Sequence, residues 1–264
     1  MRTDEGTAGP DDGIPDDVAL LWGRRGGPRR GPRPSLSVAD ITRAAVAVAD
    51  ADGLDAVSMA RVAAELGNST MALYRHVRSK DELLALMTDA AMESPPEREP
   101  DGDWRAGLYA WAHGVVAVSR RHPWFARLPV GGPPIGPHNL AWLDRGLAEL
   151  EPVGLPPDEA VAIVTGLLIY TQGGIRLGAE LAVGYAADPD AFGARYGRLL
   201  GALVDPHRMP ALARAVAAGV FDGTGTASPP PEHDATAGAE FELGLTFLLD
   251  GIAAHIARRG TPGP

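Results

Sequence analysis

The chain has 264 residues, 45% of them hydrophobic, enough for a sizeable core and for one large or two modest domains. It has no cysteine, which excludes disulfides and thiolate metal sites and fits a reducing, cytoplasmic setting. The formal net charge of −10 argues against nucleic acid as a partner until it is divided by position: residues 20–80 hold ten basic and five acidic residues, a balance of +5, and the remainder carries −15.

The first stretch, MRTDEGTAGPDDGIPDD, is acidic and polar, unlike a signal peptide, and no apolar run reaches the ~18 residues that would span a bilayer, so no membrane partner is expected. Residues 1–19 are too poor in apolar side chains to fold alone, and the expectation is disorder. Residues 20–36, LLWGRRGGPRRGPRPSL, form a basic arm with Arg24, Arg25, Arg29, Arg30 and Arg33, kept extended by Gly and Pro. Such an arm can follow a phosphate backbone or enter a minor groove, and Arg29, Arg30 and Arg33 are candidate DNA contacts.

Ordered structure is expected from Ser37. Ser-x-x-Asp, with Leu36 before it and Ile41 after it, suits an N-cap with a hydrophobic staple. Ile41, Ala44, Ala45 and Val48 then recur at helical spacing up to Gly53. Ser58 to Leu66 reads as a short amphipathic helix with Val62, Ala63 and Leu66 on one face. Gly67 supplies a left-handed stop, Asn68 and Ser69 can cap, and a second short helix begins at Thr70 and runs to Val77. Two short helices across a tight Gly-containing turn make a helix-turn-helix, the unit that places its second helix in the major groove. Ser79-Lys-Asp-Glu82 is a capping box for a fourth helix with Leu83, Leu84 and Met87 on its apolar face.

Pro95, Pro96 and Pro100 mark a boundary. Beyond it, 103–121 reads as one helix broken at His122-Pro123, followed by a long turn at 131–139 and a helix over about 140–150. A long helix is expected over 158–183, one or two shorter ones over 188–219, a flexible loop at 223–234 and a last helix over about 237–259. No segment alternates with strand period, so the fold is expected to be all-α. The domains expected are a tail and arm at 1–36, a DNA-binding unit at 37–94 and a helical body at 101–260.

The segment 36–87, ending in MALYRHVRSKDELLALM, resembles the N-terminal domain of the tetracycline-repressor (TetR) family of transcriptional regulators; its LYxHV core is the most specific part. DWRAGLYAWAH, RHPWFARLPVGGPPIGPH and the long helix at 158–183 more loosely resemble the C-terminal domain of tetracycline-repressor-like members. The resemblance implies a three-helix DNA-binding domain on a larger helical domain that binds ligand and dimerises. It further implies an Ω-shaped homodimer on a palindromic double-stranded operator, released by a small molecule. It assigns DNA contacts to Thr70, Met71, Ala72, Tyr74, Arg75, His76 and Lys80. Tyr74 and Lys80 suit phosphates, Arg75 a guanine edge or a phosphate, and Met71 and Ala72 a thymine methyl. Leu73 and Val77 are expected in the core. Ala60 stands where many relatives carry a base-reading arginine, a departure that leaves operator preference open.

In the body, Trp111, Trp124, Phe125, Trp142 and Tyr170 are candidates to line an apolar effector cavity, with His113 and Gln172 as polar handles. The histidines show no HExxH spacing and no P-loop or nucleophile-elbow motif occurs, so no catalytic residue, metal or cofactor is expected. The alternative reading is an all-helical small-molecule-binding protein or enzyme with an incidental helix-turn-helix.

Overall fold

The computed structural model describes residues 13–25, 36–98, 102–128, 135–187, 195–221 and 238–260. Among these residues there are helices and no strand. They fall into two compact units, one within Met1–Pro95 and Leu128–Asp144, the other within Pro96–Arg127 and Arg145–Pro264.

The first unit begins with α1 (Asp16–Leu21), where the sequence suggested a disordered tail. What orders it is tertiary: Leu20 is buried, and the Trp22 indole N–H donates to the Ile135 carbonyl at 2.9 Å. α2 (Val38–Asp52) opens with the expected N-cap at Ser37, which the structure completes as a capping box. Ser37 Oγ accepts from the Asp40 N–H and the Asp40 carboxylate accepts from the Ser37 N–H, both at 3.2 Å. Ile41, Ala44, Ala45, Val48 and Ala49 form its buried stripe. It ends at Gly53, whose φ of 83° is left-handed territory that favours glycine.

α3 (Met59–Glu65), α4 (Thr70–Tyr74) and α5 (Lys80–Met92) follow. The Ser79 Oγ caps α5 by accepting from the Glu82 N–H at 3.0 Å, but the expected box is only half made. The Glu82 carboxylate instead accepts from the Arg78 N–H at 2.7 Å, because it is held in that position by the Arg25 guanidinium.

In the second unit α6 (Trp104–Arg121) buries Leu108, Trp111, Ala112, Val115 and Val116. α7 (Pro137–Leu150) starts three residues before the sequence boundary, with its first half in the first unit and its second half in the second. The early start has a cause: the buried Asp89 carboxylate of α5 accepts from the His138 and Asn139 N–H groups, each at 3.1 Å, and so caps α7 from another helix. A Cβ on Gly136 would collide with that carboxylate. Trp142 in turn donates its indole N–H to the Met92 carbonyl at the end of α5, at 2.8 Å. Each helix thus satisfies groups at an end of the other.

α8 (Pro157–Ala187) is longer than expected. By length and composition alone its stretch 157–184 could cross a membrane, at a mean hydropathy of 1.4, although it holds no uninterrupted apolar run of that length. Val164, Leu167, Thr171 and Ile175 form a buried stripe at 3–4-residue spacing, whereas Ile169, Leu177, Leu181 and Val183 are exposed. α9 (Tyr196–Leu203) and α10 (Pro210–Ala217) pack on each other. Pro210 begins α10, as its missing N–H allows in a first turn. α11 (Ala239–Gly260) buries Phe241, Leu245 and Leu249 against α6 and α8 and leaves Leu243 and Phe247 exposed.

Candidate functional site

The helix-turn-helix is built by local signals. Ser58 Oγ accepts from the Arg61 N–H at 3.1 Å to start α3, and Gly67, at φ 63°, stops it. Ser69 Oγ accepts from the Ala72 N–H at 3.2 Å to start α4. Leu73 and Val77 are fully buried, with Val62 and Ala63 of α3 beside them in the core. Anchoring α4 by one face fixes which residues look outward. Met71 is 71% exposed, Tyr74 and Arg75 are exposed, and Thr70, Ala72 and His76 are half-exposed. Lys80, at the first position of α5, is exposed as well. The side chains of Arg75 and Lys80 make no hydrogen bond or ion pair among the described residues. From Ser69 to Lys80 there is no acidic residue. This surface offers cationic donors and a large apolar side chain, the mixture suited to phosphate oxygens, base edges and thymine methyls.

The first residues of the arm, 20–25, differ from the expectation. Arg25 does not extend: its guanidinium donates to both Glu82 carboxylate oxygens, at 3.0 and 2.6 Å. The Arg25 hydrogen bond holds the Glu82 carboxyl below its ordinary range against the opposing effect of burial, and the Arg78 N–H adds to it. Arg24 lies over the Trp22 ring at 5.6 Å. Arg29, Arg30 and Arg33 lie outside the described residues.

In the second unit His113 and Tyr170 converge on α11. Tyr170 stacks on Phe241 at 5.3 Å and donates its hydroxyl to the Phe241 carbonyl at 2.7 Å, while His113 meets the Phe241 ring edge-on at 6.1 Å. The Glu242 carboxylate accepts from the Tyr109 hydroxyl at 2.9 Å and lies 3.1 Å from His113 Nε2. That hydrogen bond to Glu242 raises the Tyr109 phenol above its ordinary range, and burial raises Tyr170. Tyr109 and Glu242 were not singled out from the sequence, and Phe241 is legible there only as part of the apolar period of the last helix. A cleft of about 310 Å³ opens beside this cluster, lined by Asp103, Arg105, Ala106, Tyr109, Thr246 and Leu249.

The remaining aromatic candidates do not join that cluster. Trp124 contacts Phe125 at 6.5 Å and His122 at 5.5 Å. Trp111 is buried where α6 meets Gly146 of α7, and Gln172 is half-exposed on α8. Trp142 belongs to the first unit. Among the described residues, no three His, Asp or Glu side chains come close enough to hold a metal ion.

Two family models match the chain in succession. Residues 41–87 match the model for bacterial regulatory proteins of the tetR family, and residues 95–256 match the tetracyclin repressor-like C-terminal domain. The chain is 36% identical to the HTH-type transcriptional repressor DrrR1 of Streptomyces coeruleorubidus, over 98% of this chain and 92% of the relative. The chain belongs to the TetR family.

Within that family the fold is close to that of Streptomyces coelicolor ActR. The apo form superimposes with a TM-score of 0.67 at 24% identity, covering 87% of this chain and all of that one. ActR in complex with actinorhodin gives a TM-score of 0.64 at 26% identity, covering 86% and 99%. Membership in the TetR family makes the protein a transcriptional regulator and accounts for the basic face of a chain that is acidic overall.

Proposed function

We propose that this regulator is a ligand-responsive repressor that binds a palindromic operator as a homodimer and leaves it when a small, largely apolar effector occupies the C-terminal domain. The observation that carries the DNA half is the outward face of α4 and the start of α5, where Thr70, Met71, Ala72, Tyr74, Arg75, His76 and Lys80 surround a helix fixed by buried Leu73 and Val77. The dimer half rests on α8 and α11, whose exposed Ile169, Leu177, Leu243 and Phe247 are too many large apolar side chains for a free surface. Gly166 and Gly173 on α8 have nothing within 4 Å of a would-be Cβ, room for a second chain to approach. Two helices from each subunit would then form a four-helix interface with two-fold symmetry.

The effector half draws on the likeness to ActR, which has been solved with actinorhodin. Phe241 and Tyr170 offer aromatic faces, and Tyr109, His113 and Glu242 offer polar handles for an effector of mixed character. Trp111, Trp124 and Phe125 are further candidates for its walls. To cause release, the effector must bind the DNA-incompetent arrangement better than the competent one.

Footprinting on DNA flanking the regulator's own gene tests the reading, with a two-fold symmetric protected site expected. Arg75→Ala should cost roughly 1–3 kcal/mol and relax preference at one position of each half-site if it reads a base. Lys80→Ala should weaken operator and random DNA about equally. Equal protection of all sequences by the wild type would overturn the proposal.

A further inference from the structure

The segment 13–25 is docked on the DNA-binding unit by three separate anchors. Leu20 is 4% exposed, Trp22 bonds the Ile135 carbonyl, and Arg25 makes its two-pronged pair with Glu82, the side chains being 15% and 14% exposed. The same segment carries Asp16, which ion-pairs with Arg78 and lies 3.8 Å from Arg25 Nε. That pair is of a different kind, because Asp16 and Arg78 are 59% and 62% exposed.

Arg78 stands in the turn between α4 and α5, three residues after Arg75 and two before Lys80. It is therefore flanked by two exposed cations that the DNA-binding reading places on phosphates or bases. An exposed arginine in such a position is a natural phosphate ligand. Here a carboxylate of the same chain already occupies it.

We propose that Arg78 is a further DNA-phosphate contact and that the docked N-terminal segment withholds it, with Asp16 acting as an intramolecular competitor of the DNA backbone. The inference rests on the DNA-binding reading above. The division of labour follows from burial. The partly buried Arg25–Glu82 pair keeps the segment in place, whereas the exposed Asp16–Arg78 pair is weak enough for a phosphate to replace it. Sequence supports the direction of the effect: residues 1–19 hold six acidic residues and one basic residue. The segment therefore tunes operator affinity downward, and any change that loosens it raises affinity.

The test uses the full chain and a fluorescent operator duplex, with affinity measured across a salt series for wild type, Asp16→Asn, Arg78→Ala, the double variant and Arg25→Met. Asp16→Asn should bind roughly two- to twentyfold tighter as a dimer with two such pairs. Its plot of log affinity against log salt should steepen by at most about 1.8, the limit at which wild-type Arg78 makes no phosphate contact in either subunit. Arg25→Met, which frees the segment by another route, should shift affinity the same way. Asp16→Asn should have no effect in the Arg78→Ala background. Unchanged or weaker binding by folded Asp16→Asn and Arg25→Met overturns the proposal, as does an equal gain with Arg78 absent. Those failures leave wild-type operator binding intact. A wild type that does not bind the duplex at all instead removes the DNA-binding reading, and this inference with it.

Discussion

The helix-turn-helix unit and the α8–α11 pair solve opposite problems with the same kind of element. In the first, short helices are stopped and started by Ser37, Ser58, Gly67, Ser69 and Ser79, and each turns one stripe inward; its exposed recognition face is polar except for Met71 and Tyr74. In the second, long helices bury one stripe and show another, with Ile169, Leu177, Leu181 and Val183 on α8 and Leu243, Phe247 and Leu248 on α11. The first unit is finished by its own core. The second has apolar surface left over. The contrast supports the partners proposed above, a charged polymer for the first unit and more apolar protein for the second.

The sharpest way to break that contrast is to put charge on the leftover surface. Phe247→Asp with Leu248→Asp should convert dimers to monomers while helicity is kept, as read by light scattering and circular dichroism. Phe247 is the more exposed of the two. A stable dimer in this variant would move the interface elsewhere. The opposite operation, removing core from the finished unit, should act on stability and not on assembly. Leu73→Ala should cost about 2–5 kcal/mol in urea unfolding and abolish operator binding, since α4 loses the anchor that aims it.

Part of this contrast was legible in the sequence. The helix-turn-helix was visible because its signals are local: a glycine at the left-handed stop, serines three residues before the N–H groups they cap, and Leu73 and Val77 at helical spacing. The α11 stripe was legible for the same reason. The start of α7 was not, because its cap is Asp89, 49 residues away, and nothing in PIGPHN announces a carboxylate from another helix. Nor was the docking of α1, which depends on Glu82 and the Ile135 carbonyl. The effector cluster was half legible. His113 and Tyr170 stood out by type, but Glu242 becomes interesting only once α11 is laid beside α6.

Those long-range contacts carry smaller effects. Asp89→Ala leaves the first N–H groups of α7 and the Asn139 amide without their acceptor. It should cost roughly 1–3 kcal/mol in thermal unfolding, and Asp89→Asn should recover part of that. A variant as stable as wild type would mean that α7 caps itself by another route. The smallest effect is the acid dependence of Arg25–Glu82. Glu82 is depressed in the folded state, so its contribution is present above the ordinary value of about 4.3 and is lost as pH falls through the lowered one. The stability gap between wild type and Glu82→Gln should therefore be open at neutral pH and narrow as pH falls below the ordinary carboxyl value of about 4.3. A gap that widens in acid would contradict the assignment.

The most direct measurement of the central claim is sedimentation of the full chain with two labelled duplexes, the protected upstream site and its scrambled version, at several salt concentrations. We predict two chains on each operator duplex, arriving as a preformed dimer. We also predict that preference for the operator persists as salt rises while binding to the scrambled duplex is lost first. Equal affinity for both duplexes at every salt concentration, or a monomer that binds as well as a dimer, would contradict the account.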